Sequence, residues 1–103
     1  MKTTASLLFP AKIHQLREER QLYQKQIADA LSIDTPMYCR IERGQRRAKR
    51  EQVIMLAKVF QTNQDELLNL WLADQVYSVV KNEVQAHKVL NIVAENIVEY
   101  GQK

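Results

Sequence analysis

Apolar residues recur along this chain at the three- and four-residue spacing of amphipathic helices. Short polar turns divide the pattern into six stretches, at about residues 9–21, 24–31, 35–44, 50–60, 64–81 and 83–100. In the fourth stretch the apolar positions follow i, i+3, i+4 and i+7, as Val53, Leu56, Ala57 and Phe60. No alternating apolar run is long enough to build a sheet. The pattern therefore predicts an all-α fold, with five helices in one domain and a C-terminal amphipathic helix.

The third predicted helix has clear start and stop signals. Asp34 or Thr35 suits its N-cap, and Pro36 then falls in the first turn, where its missing N–H is not needed. Gly44 suits a left-handed C-cap. Helices 2 and 3 are both short and are joined by a turn of about three to four residues, the length found in helix-turn-helix motifs. Neither is stable alone in water, so both must pack against neighbours.

Basic residues are concentrated at the end of this third helix and directly after it. Residues 40–50 contain one acidic side chain, Glu42, and six basic ones: Arg40, Arg43, Arg46, Arg47, Lys49 and Arg50. The whole chain has a net charge of only +3, and residues 70–103 have a net charge of −1. One part of the molecule is therefore a candidate surface for a polyanion, and the other is not.

The composition argues against several other classes of protein. The 103 residues suit one domain, and a single cysteine excludes an intramolecular disulfide, which fits a reducing compartment. No apolar run approaches the roughly 20 residues needed to cross a bilayer, so we expect a cytoplasmic protein without a membrane partner. With two histidines and one cysteine, no zinc spacing, Gly-rich phosphate loop or catalytic triad emerges. We expect no metal, no cofactor and no enzymatic activity.

Residues 16–68 resemble the phage-repressor (Cro-like, Xre-type) helix-turn-helix domain. The matching segments are "LREER" followed by Leu22 and Gln24, then "IADAL", "RIERG", "VIMLAK" and "DELL". The resemblance implies double-stranded DNA as the partner and helix 3 as the recognition helix. It divides the chain into an N-terminal arm (1–8), a helix-turn-helix DNA-binding domain (9–70) and a C-terminal helical extension (71–103), for which we expect a role in dimerisation.

The resemblance also assigns roles to individual residues. Bases would face the first turn of the recognition helix and the turn after it, at Thr35, Pro36, Cys39 and Arg40. DNA phosphates would be contacted by Gln24 and by the basic cluster Arg43, Arg46, Arg47, Lys49 and Arg50. Arg17 would pair with Glu42 and tie the basic segment to the core. Because Pro36 cannot hydrogen-bond a base, direct readout would depend mainly on Thr35 and Arg40.

Helix 5 is apolar on two sides and so needs two sets of partners. Leu67 and Trp71 can close the core, whereas a second row predicts a homodimer interface: Leu68, Leu72, Val76 and Val79. Helix 6 has its own apolar side, with Val89, Leu90 and Val93. It can cover part of helix 5, complete the dimer, or fold back and seal its own chain.

Simpler interpretations stay open beside these. The basic segment could be a solvated loop that aids solubility, and Arg17 with Glu42 could be a surface pair of little energetic consequence. Cys39 is interpreted as a small groove-facing or buried-edge residue in preference to a redox sensor, and the two histidines as isolated residues.

The function that follows is a DNA-binding transcriptional regulator, acting as a homodimer on a pseudo-palindromic operator. A repressor or a restriction-modification controller is the expected type. The alternative is an antitoxin-like DNA-binding protein whose C-terminal helices bind a protein partner. A third possibility is nucleic-acid binding without sequence preference.

Overall fold

A computed structural model describes residues 7–101 of the chain. The helices are α1 (Leu8–Glu19), α2 (Gln24–Leu31), α3 (Thr35–Glu42), α4 (Arg50–Phe60), α5 (Gln64–Val80) and α6 (Ala86–Asn96), and a π-helical turn (Ile97–Gly101) follows α6. No strand occurs between residues 7 and 101, and the all-α prediction is confirmed. The predicted N-terminal arm lies outside the described residues except for Leu7 and Leu8.

Helices α1 to α5 share one hydrophobic core. Its buried members are Phe9, Ile13, Leu16, Ile27, Ala28, Tyr38, Ile41, Ala48, Val53, Leu56, Ala57, Phe60 and Leu67. Helices α2 and α3 have eight residues each, too few to persist in water without neighbours, so this packing is what holds them. Ala48 belongs to the segment between α3 and α4, so the core also anchors that irregular segment.

Both ends of α3 are fixed by local hydrogen bonds. The Asp34 side chain accepts from the backbone N–H of Met37 at 2.8 Å, and Pro36 lies in the first turn. At the other end Gly44 has a φ of +77°, its N–H donates to the Ile41 carbonyl, and the Gln45 N–H donates to the Arg40 carbonyl. This is the Schellman arrangement, which turns the chain sharply away from the helix.

The start of α1 is capped by a residue from α5. The carboxylate of Asp74 accepts hydrogen bonds from the backbone N–H groups of Leu8 and Phe9, both at 2.8 Å. These N–H groups have no partner within α1, because the first turn of a helix leaves its donors free. Asp74 is only 8% exposed, so the contact is an internal one that ties the second half of α5 to the start of the domain.

Helix α6 lies outside the shared core. From Lys81 to Glu99 every side chain is exposed except that of Ala86, which is half-buried. The sequence left the partner of helix 6 open, and in this structure its side chains are not buried against α5. The predicted helix also began at residue 83, whereas α6 begins at Ala86. An amphipathic pattern specifies that a helix has an apolar side, but not which surface covers that side.

Candidate nucleic-acid interface

Helix α3 presents one side to solvent and the opposite side to the core. Tyr38, Ile41 and Glu42 are its buried residues. The four predicted base-reading residues lie at i, i+1, i+4 and i+5, which places them together on the other side of the helix: Thr35, Pro36, Cys39 and Arg40. Pro36 and Arg40 are exposed, while Thr35 and Cys39 are half-buried. These four residues form a surface about two helical turns long that can fit into a groove.

The basic residues at the end of α3 and after it are exposed and carry free charges. None of them forms an ion pair with a residue of the described range 7–101: Arg40, Arg43, Arg46, Arg47, Lys49 and Arg50. By contrast, Arg17, Arg20 and Lys25 each pair with a carboxylate. Six unneutralised cations within eleven consecutive residues, 40–50, produce a local positive potential that attracts polyanions.

Glu42 is the centre of a hydrogen-bond network beneath this surface. Arg17 donates from Nε to Oε2 at 2.7 Å and from Nη2 to Oε1 at 3.0 Å. Tyr38 donates its hydroxyl at 2.8 Å, and Gln24 donates its side-chain amide at 2.9 Å. His14 Nδ1 lies 3.2 Å from Oε1. The end of α3 is thereby fixed to α1 and α2 through one carboxylate.

The network stabilises Glu42 in its charged form. Burial alone would raise the pKa of this carboxyl, but the hydrogen bonds from Arg17, Gln24, Tyr38 and His14 outweigh burial and lower the pKa to about 2. Burial, followed by the negative charge of Glu42, raises the pKa of Tyr38 above its ordinary value. Glu42 is therefore a carboxylate and Tyr38 a neutral donor at neutral pH.

Two members of this network have a placement that the sequence pattern did not indicate. Gln24, for which we expect a phosphate contact, uses its amide to bond Glu42. His14, interpreted as isolated, lies within reach of both Glu42 and Glu18. No spacing along the chain points from His14 to Glu42, because the two residues meet only when α1 packs against α3.

Arg17 has a further role at the turn between α1 and α2. Its Nη1 donates to the Leu22 carbonyl at 2.9 Å, in addition to the two bonds to Glu42. One guanidinium therefore holds both the turn that precedes α2 and the residue that ends α3. Its planar set of donors suits this shared role, which a lysine ammonium could not reproduce.

The residues predicted to form a dimer interface differ in their surroundings. Leu68 is half-buried and packs against the core. Leu72, Val76 and Val79 are 40%, 46% and 77% exposed, although all three are large and apolar. They come after Trp71, the last α5 residue that packs against the core cluster. The row is therefore continuous along α5, but only its later members are free to meet another surface.

Helices α2 and α3 are short, are held by the core and are joined by a tight turn. Helix α3 faces solvent and is followed by cations without ion pairs. These features define a helix-turn-helix protein. A family model described as a helix-turn-helix domain matches residues 9–70. The chain belongs to this family, which confirms the resemblance to the Xre- and Cro-like domains. The match supports a DNA-binding regulator, and proteins of this family are typically not enzymes.

Comparison with curated proteins and with solved structures gives no match. Over residues 7–101 no helix is both long enough and apolar enough to cross a membrane.

Proposed function

We propose that this protein is a sequence-specific transcriptional regulator that binds a pseudo-palindromic operator as a homodimer. A repressor or a restriction-modification controller is the type of regulator we favour. The observation that carries the proposal is the group of six cations at residues 40–50, none paired within the described range, at the end of a short, solvent-facing helix. Free cations at that position suit a partner with a dense row of phosphates.

In the proposed complex α3 lies in the major groove, which is wide enough for one helix. Arg40 and Thr35 supply the hydrogen-bonding side chains, and Arg40 can donate two parallel bonds to a guanine. Pro36 offers only an apolar contact, for which a thymine methyl is a suitable partner. Cys39 is small and half-buried, so it allows the helix to approach the base edges closely.

Phosphates are contacted in this proposal by the residues after α3 and by α2. Arg43, Arg46, Arg47 and Lys49 are exposed and hold the DNA backbone without reading its sequence. Gln24 bonds Glu42 through one amide hydrogen, and its amide group has a second one for a phosphate oxygen.

The dimer is proposed to form through the C-terminal extension. The free row on α5 and the exposed apolar side of α6 supply an apolar surface that the monomer leaves in water. Two copies related by a two-fold axis would place their recognition helices in successive major grooves, roughly 34 Å apart. Doubling the contacts compensates for the limited readout that one α3 can provide.

The exposure of α6 also supports a second candidate, an antitoxin-like regulator. Val89, Leu90 and Val93 are 39%, 38% and 46% exposed, so the apolar side of this helix is free to enter a groove of a different protein. A stable complex with another protein, lost when α6 is removed while DNA binding persists, would favour this function over the homodimer.

Selection from a random duplex pool tests the leading proposal. The full chain is incubated with double-stranded fragments that contain a randomised segment, and bound fragments are recovered over several rounds and sequenced. The proposal predicts two inverted half-sites with a fixed spacing. Recovery of fragments without a shared motif would support binding that lacks sequence preference and would contradict an operator.

A further inference from the structure

We call residues 43–49, the exposed basic segment between α3 and α4, the basic loop. Its first residues are held by the Schellman bonds to α3, and its last residue, Lys49, donates its N–H to the Gln52 side chain of α4. The residue before Lys49 has a different anchor: the indole Nε1–H of Trp71 donates to the Ala48 carbonyl at 2.8 Å. Within the described residues, this is the one hydrogen bond between the basic loop and an element other than α3 and α4.

The anchored residue is the one member of the loop that turns inward. Ala48 is 3% exposed, while its neighbours Arg47 and Lys49 are both exposed. A carbonyl in such a place loses its water and requires a protein donor. Because Trp71 supplies that donor, it fixes which way the backbone faces at Ala48, and so fixes the direction in which the two adjacent cations project.

The same indole also contacts the first residue of α4. The guanidinium carbon of Arg50 lies 5.3 Å from the centroid of the Trp71 ring, within the range of a cation–π contact. A cation is unfavourable at the N-terminus of a helix, where the helix dipole is positive. The aromatic ring offsets this, and Trp71 thus holds both the loop and the residue that follows it.

One side of the loop borders an open pocket. A cavity of about 230 Å³ lies between the loop, the start of α1 and α5, and its walls include Arg46, Arg47, Ala48 and Trp71. Ala48 packs its side chain into the core, but an apolar contact is non-directional and does not set which way its carbonyl faces. The hydrogen bond from Trp71 is the directional contact at this place.

We propose that Trp71 is a positioning residue for DNA binding: its N–H and its ring hold the basic loop in the conformation that aims Arg46, Arg47 and Lys49 at phosphates. The inference rests on the proposed function, since it assigns the loop a nucleic-acid partner. Trp71 itself contacts no DNA in this account. It acts from α5, outside the matched helix-turn-helix segment, which ends at residue 70.

The test compares Trp71→Phe with Tyr77→Phe in the full chain. Both changes leave a phenyl ring and remove one polar hydrogen from α5, although Trp71→Phe also shortens the ring system. Tyr77 is 45% exposed and is not part of the loop anchor. Binding of a labelled, arbitrary-sequence duplex is measured by fluorescence anisotropy at several salt concentrations. Trp71→Phe should weaken binding about three- to tenfold, the range of one lost hydrogen bond, and should make the salt dependence shallower. Tyr77→Phe should match the wild type.

Amide hydrogen exchange, measured without DNA, separates positioning from general stability. Trp71→Phe should accelerate exchange at Arg46 and Lys49, whose N–H groups bond Arg40 and Gln52, while leaving the amides of the buried residues Leu56 and Ala57 in α4 unchanged. Equal acceleration at both places, or unchanged affinity and salt dependence, would overturn the inference. Failure of the wild-type protein to bind any duplex would instead overturn the proposed function, and the exchange data would still decide whether Trp71 orders the loop.

Discussion

Arg17 and Glu42 form a two-bond ion pair between the first helix and the last residue of α3, with N···O distances of 2.7 and 3.0 Å. Their side chains are 13% and 5% exposed, so water screens the pair little. The geometry is that of a charge-assisted fork, in which both carboxylate oxygens are used. Because the basic loop begins at the next residue, this pair fixes the point from which the loop departs.

Removing the charge of Glu42 should destabilise the fold strongly. Glu42→Gln removes the carboxylate that forms both short bonds to Arg17 and leaves this largely buried guanidinium with only the more distant, exposed Glu18 at 3.8 Å. Breaking a buried ion pair by removing one partner costs about 3–5 kcal/mol. Urea unfolding of the full chain measures the change in the free energy of unfolding. The matched control is Glu95→Gln, since Glu95 is exposed on α6, away from the network, and its change should alter stability by no more than about 0.5 kcal/mol. Equal changes in the free energy of unfolding for the two variants would show that the Glu42 network adds no special stability.

The same network predicts how stability depends on pH. The pKa of Glu42 falls from an ordinary 4.5 to about 2 in the folded state, so this group stabilises the fold above pH 4.5 and loses its contribution as the pH falls through 2. This lowering of the Glu42 pKa corresponds to roughly 3 kcal/mol of folding stability. Urea unfolding between pH 5 and pH 2 should show that loss in the wild type and a smaller one in Glu42→Gln. If the free energy of unfolding changed with pH in the same way in both proteins, the lowered pKa of Glu42 would be contradicted.

The free cations of the basic loop should govern the salt dependence of DNA binding. For Arg46→Ala or Arg47→Ala we expect weaker binding to all sequences and a slope of log affinity against log salt that is smaller by about 1. Lys58→Ala is the control, because Lys58 is an exposed cation in the last turn of α4, away from the loop. If all three changes altered the slope equally, overall charge would explain binding better than the loop.

Substitutions on α3 should affect sequence preference instead. Arg40→Ala should cost about 1–3 kcal/mol on the selected operator and should leave one base position unconstrained. Thr35→Val removes a hydroxyl at nearly constant shape and should likewise weaken binding to the selected operator. Binding to a scrambled duplex supplies the comparison, since loss of a base contact should matter little there. An equal loss on both duplexes would assign these residues to the DNA backbone.

The local features of the fold were predictable because short-range rules set them. Asp34, Pro36 and Gly44 mark the ends of α3, and the ranges predicted for α2 and α4 agree with the structure. These assignments depend on residues within one or two turns of each other. The helix-turn-helix class followed from the same local marks, since the motif is a contiguous segment.

The contacts that organise the candidate site were not predictable in the same way. Asp74 caps a helix that begins 66 residues earlier, and Trp71 bonds a carbonyl 23 residues away. Neither contact leaves a mark in hydrophobic spacing. The position of α6 also stayed open, because an apolar side does not specify which surface covers it.

The free apolar row on α5 should support a dimer. Val76→Asp places a charge in the middle of this row and should convert a dimer into a monomer at micromolar concentration, as measured by sedimentation velocity. Asn69→Asp adds the same charge at an exposed polar position of the same helix and should leave the dimer intact. A wild-type protein that sediments as a monomer at these concentrations would contradict the dimer.

The central claim, that α3 and its basic loop recognise a specific duplex, is tested most directly by competitive titration. The protein is bound to its selected operator, and the same duplex with scrambled half-sites is used as the competitor at physiological salt. We predict that the operator binds at least about 10³-fold more tightly than the scrambled duplex. Equal competition by both duplexes would contradict the account.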